Sequence, residues 1–360
     1  VPAQDSAATP AELRVLQARI DQALERELHR VLDRLLKLSP LLAPIADELR
    51  SFTASGKRVR PALLLLGFNA AGGVKLDSVE GPALALELLH TCALLHDDVI
   101  DRAATRRGRP TVHETFADRH RKAGWSGDAH AFGEAMAILV GDLAFVYADE
   151  MFLQATVPSA SLLDAFRRFT TLREEVMAGQ TLDVHAATSG STDRLAALTV
   201  ATLKSGRYSV ARPLEIGALL AGATAELVDG LGAFGDPLGR AFQVRDDLLG
   251  VFGDDATTGK STASDLAEGK RTLLIAEAVA GLNASDRREL LAGLGDPTLD
   301  AARTDRLREL IELSGARAAT ESYIEVAVAD ARQVLDHLDI PAGVRTQLAQ
   351  VASYLGDRTR

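Results

Sequence analysis

Apolar residues recur at every third or fourth position along almost the whole chain. From 11 to 37 the series Leu13, Leu16, Ile20, Leu24, Leu28, Val31, Leu32 and Leu35 draws one stripe along a helix. The stripes that follow are dominated by Ala and Leu, which give up little side-chain freedom in a helix. Alternating β-branched runs bounded by turn pairs, the mark of strands, do not occur. The pattern predicts an all-α chain folded as one large helical bundle, a single domain over 1–360 with 1–10 and 357–360 frayed. Helix ends are predicted at Ser39-Pro40, Gly72-Gly73, Gly81-Pro82, Val157-Pro158, Ser189-Gly190, Gly253, Gly281, Gly295-Asp296-Pro297 and Ser314-Gly315. Two stretches break the stripe and are predicted as loops: 102–132, rich in Arg, His and Gly, and 253–271, rich in Gly, Thr, Ser and Asp. No solenoid repeat or low-complexity tract interrupts the chain.

Composition narrows the class. With 360 residues, 47% hydrophobic and 25% charged, and a mean hydropathy of +0.04, the chain has ample material for a large core. A formal net charge of −10 excludes a general nucleic-acid binder, so an anionic ligand must meet a local basic cluster. The single cysteine, Cys92, rules out an intrachain disulfide framework and predicts a reducing, cytoplasmic setting. Val1 to Pro10 lacks the basic-then-apolar order of a signal peptide. Apolar runs such as Pro61 to Phe68 are too short to span a bilayer, and no transmembrane segment is predicted.

Two aspartate pairs stand out, each followed closely by one of the loop stretches. His96-Asp97-Asp98-Val99-Ile100-Asp101 and Arg245-Asp246-Asp247 both lie inside apolar helical patterns. Carboxylates in such surroundings lose hydration and need a cation or hydrogen bonds in return. On a helix over Leu84 to Asp101, His90, Asp97 and Asp101 fall within about 40° of one another, with Asp98 roughly 60° further round. On a second helix, near Pro237 to Phe252, Gln243, Asp246, Asp247 and Gly250 share one face, and a continuation would add Asp254. Hard oxygen donors of this kind suit Mg²⁺, which commonly bridges carboxylate to phosphate. Each pair by itself also fits a solvated helix end or an acid satisfied by neighbouring arginines.

Basic residues keep step with the acids. Lys57, Arg58 and Arg60 crowd a predicted helix start within Ser55-Gly56-Lys57-Arg58-Val59-Arg60-Pro61, where backbone N–H groups also favour an anion. Arg106-Arg107-Gly108 follows the first acid cluster, and Lys204-Ser205, Lys260 and Lys270-Arg271 supply further cations.

Taken in order, these motifs resemble the trans-isoprenyl diphosphate synthases, or polyprenyl synthetases, and most of all the geranylgeranyl diphosphate synthases among them. The likeness runs through Gly56-Lys57-Arg58-x-Arg60-Pro61, His90, the first aspartate motif with Arg106-Arg107-Gly108, Gly179-Gln180-x-x-Asp183, Lys204-Ser205, Gln243-x-x-Asp246-Asp247, Thr258-Gly259-Lys260 and Lys270. The resemblance implies an isoprenoid-synthase bundle with a central cavity. It also implies three Mg²⁺ ions, two on Asp97, Asp98 and Asp101 and one on Asp246 and Asp247. By the same likeness Arg106, Lys204 and Lys260 hold the diphosphate of an allylic substrate, and Gly56, Lys57, Arg60, His90 and Arg107 hold isopentenyl diphosphate. Gln180, Asp183, Ser205 and Gln243 resemble residues around the reacting centre, and Lys270 resembles one from a closing loop. A homodimer is implied as well.

Two departures from the family pattern bear on activity and product. Many relatives carry a third Asp where Gly250 stands, and Asp254 is a candidate to help in its place. The first motif lacks the insertion of many bacterial short-chain enzymes. The positions five and four before the first Asp, which stop the growing chain early when bulky, are the small residues Cys92 and Ala93. That implies a C20 geranylgeranyl product, with C15 farnesyl or longer polyprenyl chains as alternatives. A terpene cyclase would need an Asn/Ser/Glu-type second motif. A noncatalytic partner subunit would not need both acid motifs intact.

Overall fold

The computed structural model describes residues 10–253, 264–296 and 298–356. Contacts within the chain divide it into two compact units, one of residues 11–65 and 74–162, the other of residues 66–73 and 163 onward.

In the first unit the stripe predicted over 11–37 becomes helix α1 (Ala11–Leu38), which buries Ile20, Leu24, Leu28, Val31 and Leu32. Helices α2 (Ala43–Thr53), the start of α3 (Val59–Ala70), α4 (Glu80–Ile100), α5 (Val112–Ala123) and α6 (Ala129–Phe152) complete it. Helix α4 is apolar on nearly every side from Pro82 to Leu89, so it must be surrounded; α6, α1 and α2 pack on it. Each fully buried leucine there contributes about 1.5–3 kcal/mol of burial free energy. Close approach of α6 to α4 depends on Gly141, where a Cβ would lie 2.4 Å from His96 Nε2. By length and composition α6 could cross a membrane, a run the sequence reading did not single out. In this unit it is a packed helix that buries Ala137, Val140, Ala144 and Ala148.

The stretch predicted as a loop over 102–132 holds more order than expected. A two-residue hairpin pairs Thr105–Arg106 with Arg109–Pro110, and α5 follows it. The buried side of α5 is Val112, His113, Phe116, Ala117 and His120. Two of those positions are histidines, which hide the helical stripe from a reading that counts them as polar. His120 stays satisfied by packing edge-on against Trp125 and bonding to Ser126 O at 3.1 Å.

The second unit contains nearly all of α7 (Ser159–Ser189), then α8 (Arg194–Val200), a π-helical segment Ala201–Ala211, α9 (Arg212–Leu220) and α10 (Ala225–Phe252). It continues with α11 (Ser264–Ala267), α12 (Leu273–Gly281), α13 (Ala284–Gly293), α14 (Ala301–Leu313), α15 (Ala316–His337) and α16 (Ala342–Gly356). Helix α10 is its axis, packed by the π-helical segment, α9, α15 and α16. The sequence places the start of this helix near Pro237. It begins a dozen residues earlier because the buried stripe Val228, Leu231, Phe234, Leu238, Ala241, Val244 is unbroken across the proline. Burial along that stripe outweighs the one backbone bond that proline cannot donate. Gly232, Gly235 and Gly239 let α10 touch its neighbours backbone to backbone: a Cβ on Gly239 would lie 2.3 Å from Gly206 O, and one on Gly235 would lie 2.5 Å from Ala211 Cα.

Candidate active site

The first acid cluster closes helix α4. Arg102, with φ 52°, turns the chain left-handed, Ala103 N donates to Asp98 O at 3.0 Å and Arg102 N to Val99 O at 3.2 Å. This is a Schellman end made without glycine. Carboxylates at a helix C-terminus oppose its dipole, so a cation is required nearby. Arg106 supplies it: Nε donates to both Asp98 oxygens at 2.8 Å and Nη2 lies 2.7 Å from Oδ1. Burial works against the Arg106 charge, but the Asp98 bonds and the charges of Asp98, Asp97 and Asp101 outweigh it and raise its pKa. Asp98 is 1% exposed, whereas Asp97 and Asp101 are half-buried. The helical wheel separates the same acids: Asp98 faces inward to Arg106, and Asp97 and Asp101 share the more open face.

The basic set lies in the same unit. Arg107 and Gly108 form the two-residue turn of the hairpin, both with positive φ (52° and 72°), the arrangement tight hairpins favour. Arg107 Nη1 donates to Ser55 O at 2.7 Å and Ser55 Oγ at 3.0 Å, tying the hairpin tip to the loop before α3. Across that loop and the first turn of α3 the three cations read together from sequence separate. Lys57 is exposed and Arg60 half-buried, but Arg58 is 3% exposed with φ 51°. Its guanidinium donates to Asp21 Oδ1 at 2.7 Å, Glu87 Oε1 at 2.5 Å and Thr53 O at 2.6 Å. Arg58 therefore anchors the loop from inside. Gly56 is required beside it, because a Cβ there would lie 2.7 Å from Arg58 Nη1. His90, two turns before Asp97 on the same stripe, is held well below the imidazole range by burial and then by Arg60, Arg107, Arg106 and Arg58. A neutral histidine adds no charge of its own beside these arginines, of which Arg58 and Arg106 are paired with carboxylates.

In the second unit Lys204 Nζ donates to Asp183 Oδ2 at 2.6 Å, with both side chains about one-fifth exposed. Gly179 makes that bond possible, since a Cβ would meet Lys204 N at 2.3 Å and push α7 off the π-helical segment. Ser205 is half-buried next to Lys204, and Gln180 half-buried on α7. A run of charges that sequence reasoning missed braces this segment. Arg207 bonds Asp236 and Glu175, Arg212 bonds Glu175 and Glu215, and Arg168 reaches Glu215 at 2.9 Å. Burial opposes ionisation of both glutamates; Arg212 and Arg207 reverse it at Glu175, whose pKa is lowered, while at Glu215 burial prevails and the pKa is raised. A π-helical turn costs regular hydrogen bonding, and such turns recur at functional sites.

The second acid cluster also has a partner that the sequence did not reveal. On α10, Gln243 Nε2 donates to Asp247 Oδ1 at 2.7 Å, one turn along the predicted face, and Asp246 is half-buried beside it. Over Gly250 lies Asp265, from α11: a Cβ on residue 250 would be 1.9 Å from Asp265 Oδ2. Asp265 Oδ1 accepts from Lys270 Nζ at 2.8 Å, and Glu268 Oε2 holds the same ammonium at 2.8 Å. Burial, then the charge of Asp265, pushes the Asp247 carboxyl up to about 7. Lys260 and Asp254 lie outside the described residues. Among the described residues no three His, Cys, Asp or Glu side chains converge into a ready-made metal cage. The donor set, carboxylate oxygens in ones and twos, fits Mg²⁺, which completes its shell with water and phosphate.

A predominantly helical chain thus presents an acidic helix end held by Arg106, a second acidic helix face on α10, and a neutral histidine among arginines. The chain belongs to the polyprenyl synthetase family, which it matches over residues 43–312. It is 33% identical over 318 residues to geranylfarnesyl diphosphate synthase of Aeropyrum pernix, covering 87% of this chain and 93% of that one. It is also 33% identical over 307 residues to (2E,6E)-farnesyl diphosphate synthase of Mycobacterium bovis, covering 84% and 80%. The solved structure of geranylgeranyl pyrophosphate synthase from Corynebacterium glutamicum, complexed with isoprenyl diphosphate and magnesium, superposes with a TM-score of 0.91 at 35% identity over 95% of this chain and 98% of that one. The protein is thus an enzyme, a prenyltransferase by family, with the all-α architecture of these relatives.

Proposed function

We propose that the protein condenses isopentenyl diphosphate with an allylic diphosphate, and that its product is C20 geranylgeranyl diphosphate. Helix α4 is the observation that carries this reading. Its stripe presents the acids Asp97 and Asp101 at one end and the neutral, arginine-ringed His90 two turns back. An acidic face repels a diphosphate unless a cation lies between them, while an arginine-rich one binds it directly. One helix thus offers a metal-dependent anion site and a metal-free one, which suits two diphosphate substrates with different fates.

Mg²⁺, when bound, supplies the charge that makes the allylic diphosphate a leaving group. Asp97, Asp98, Asp101, Asp246 and Asp247 would hold three such ions, and Asp98 also fixes Arg106. Lys204, fixed by Asp183, stabilises the departing diphosphate together with Arg106 and Lys260. Gly56, Lys57, Arg60, His90 and Arg107 grip the isopentenyl diphosphate, and His90, being neutral, donates a hydrogen bond without taking a proton from the reaction. The isopentenyl double bond closes on the allylic cation and a proton is lost, extending the chain by five carbons. Gln180, Ser205 and Gln243 line the reacting centre, and Lys270 closes over it. Both compact units belong to one catalytic domain, as the family match across them supports.

Product length follows from α4. Cys92 is buried and Ala93 half-buried, and both are small, so the chain passes the level at which a bulky side chain would stop it. Relatives named for farnesyl and geranylfarnesyl products bracket the C20 reading. The exposed Ile138, Leu139 and Val146 on α6 give a homodimer an apolar surface to bury. A cytoplasmic location accords with the single free Cys92. The test is incubation with Mg²⁺, isopentenyl diphosphate and C5, C10 and C15 allylic diphosphates, followed by sizing of products. C20 should accumulate, and Ala93→Phe should shorten it to C15 or less. No extension of any primer would overturn the synthase reading, and an Ala93→Phe product of unchanged length would overturn the account of chain length.

A further inference from the structure

Gly250 leaves the acidic face of α10 without a side chain at its last turn, in line with Gln243 and Asp247. That space is not empty: the Asp265 carboxylate fills it, with Oδ2 1.9 Å from where a Cβ on residue 250 would stand and Cγ 2.8 Å from it. We propose that Asp265 is the third carboxylate of the second acid site, presented from α11 in place of a side chain that α10 lacks. The inference rests on the metal-dependent reading above.

Three features of the geometry support this role. The two oxygens of Asp265 are divided in use. Oδ1 accepts the Lys270 ammonium at 2.8 Å, while Oδ2 points over Gly250 toward the α10 face. Lys270 is also held by Glu268 at 2.8 Å, so the ammonium has a second anchor if Asp265 turns toward a cation. The backbone around Asp265 is fixed as well. Leu266 is 1% exposed in a cluster with Leu248, Val251, Leu274 and Ile275, and Lys270 N donates to Asp265 O at 3.1 Å. Glycine at 250 and aspartate at 265 are thus sterically linked: any side chain at 250 must displace the carboxylate. Asp254, the substitute suggested by helical continuation, is not needed for this arrangement.

The test is titration of the full-length protein with Mn²⁺ in the presence of inorganic diphosphate, with free Mn²⁺ read by electron paramagnetic resonance. Asp265→Asn should weaken Mn²⁺ binding by about 10–100-fold, the range for loss of a residue supporting a metal. Gly250→Ala, which keeps the acid but displaces it, should weaken binding in the same direction. The double exchange Gly250→Asp with Asp265→Gly should restore binding to within about threefold of the parent protein on the same scale. Circular dichroism identifies any variant that fails to fold, and Gly250→Ala carries the test if Asp265→Asn does. Parent-like Mn²⁺ affinity in folded Asp265→Asn or folded Gly250→Ala would overturn the proposal and leave Asp265 as an anchor for Lys270 alone. Failure of the parent protein to bind Mn²⁺ with diphosphate would instead overturn the metal-dependent reading on which it rests.

Discussion

Replacing Arg106 with Met should destabilise the protein before any effect on activity is considered. The substitution keeps much of the side chain's length and removes the one charge bonded to Asp98 among the described residues, and the Asp98 carboxylate is 2% exposed and takes contacts of 2.7–2.8 Å from two guanidinium nitrogens. Breaking a buried pair by removing one partner costs about 3–5 kcal/mol, because the remaining charge stays out of water without compensation. Unfolding entropy runs at about 2.1 cal/mol/K per residue, so 360 residues give about 0.76 kcal/mol/K and the expected loss is about 4–7 °C in Tm for cooperative unfolding. Differential scanning calorimetry of the metal-free protein provides the measurement. Asp98→Asn in the Arg106→Met background removes the stranded charge and should recover part of the loss, so the double variant melts above the sum of the two single losses. Tm of Arg106→Met within about 1 °C of the parent would refute the reasoning, since by the same entropy that corresponds to less than about 1 kcal/mol. Asp98 would then be reached by water in solution, and its seclusion from the Asp97 and Asp101 face would lose its basis.

Two further outcomes follow from the second unit. Gly239→Ala places a Cβ 2.3 Å from Gly206 O, backbone against backbone, and should cost about 1–3 kcal/mol in denaturant melts. Gly343→Ala, on a helix with open space around it, should gain up to about 1 kcal/mol, so equal effects at the two sites would refute the packing account. The Asp247 carboxyl, at about 7 in the folded chain and about 3.9 unfolded, binds its proton more tightly when folded. Its contribution to stability is therefore present at low pH and is lost as pH rises from about 4 through about 7. Asp247→Asn should flatten Tm against pH over that window, and an unchanged slope between pH 5 and 8 would refute the assignment.

Reading acids and bases from sequence identifies which side chains are present but not which of them face each other. The long stripe of α1 was legible because its period runs unbroken, and the acids of α4 could be set on one regular helix, with Asp98 about 60° round from Asp97 and Asp101. Helix α5 was not legible, since His113 and His120 do apolar work on its buried side. Nor could the start of α10 be found from Pro237, whose local veto on helix loses to a stripe of buried residues running across it. For charges the limit is sharper. Lys57, Arg58 and Arg60 look alike in a row, yet Arg58 turns inward to Glu87 of α4 and Asp21 of α1, partners far along the chain that no local pattern announces. Asp265 shows the same limit from the other side. From sequence, Gly250 reads as an acid lost, because a motif is counted along its own helix. In space a side chain is replaced by whatever fills its room, and a missing Cβ on α10 makes room for an oxygen from α11 to stand there. The informative signal was the pairing of a glycine where a face calls for a side chain with an aspartate after the following loop, and that pairing becomes visible only once the backbone has brought the two together.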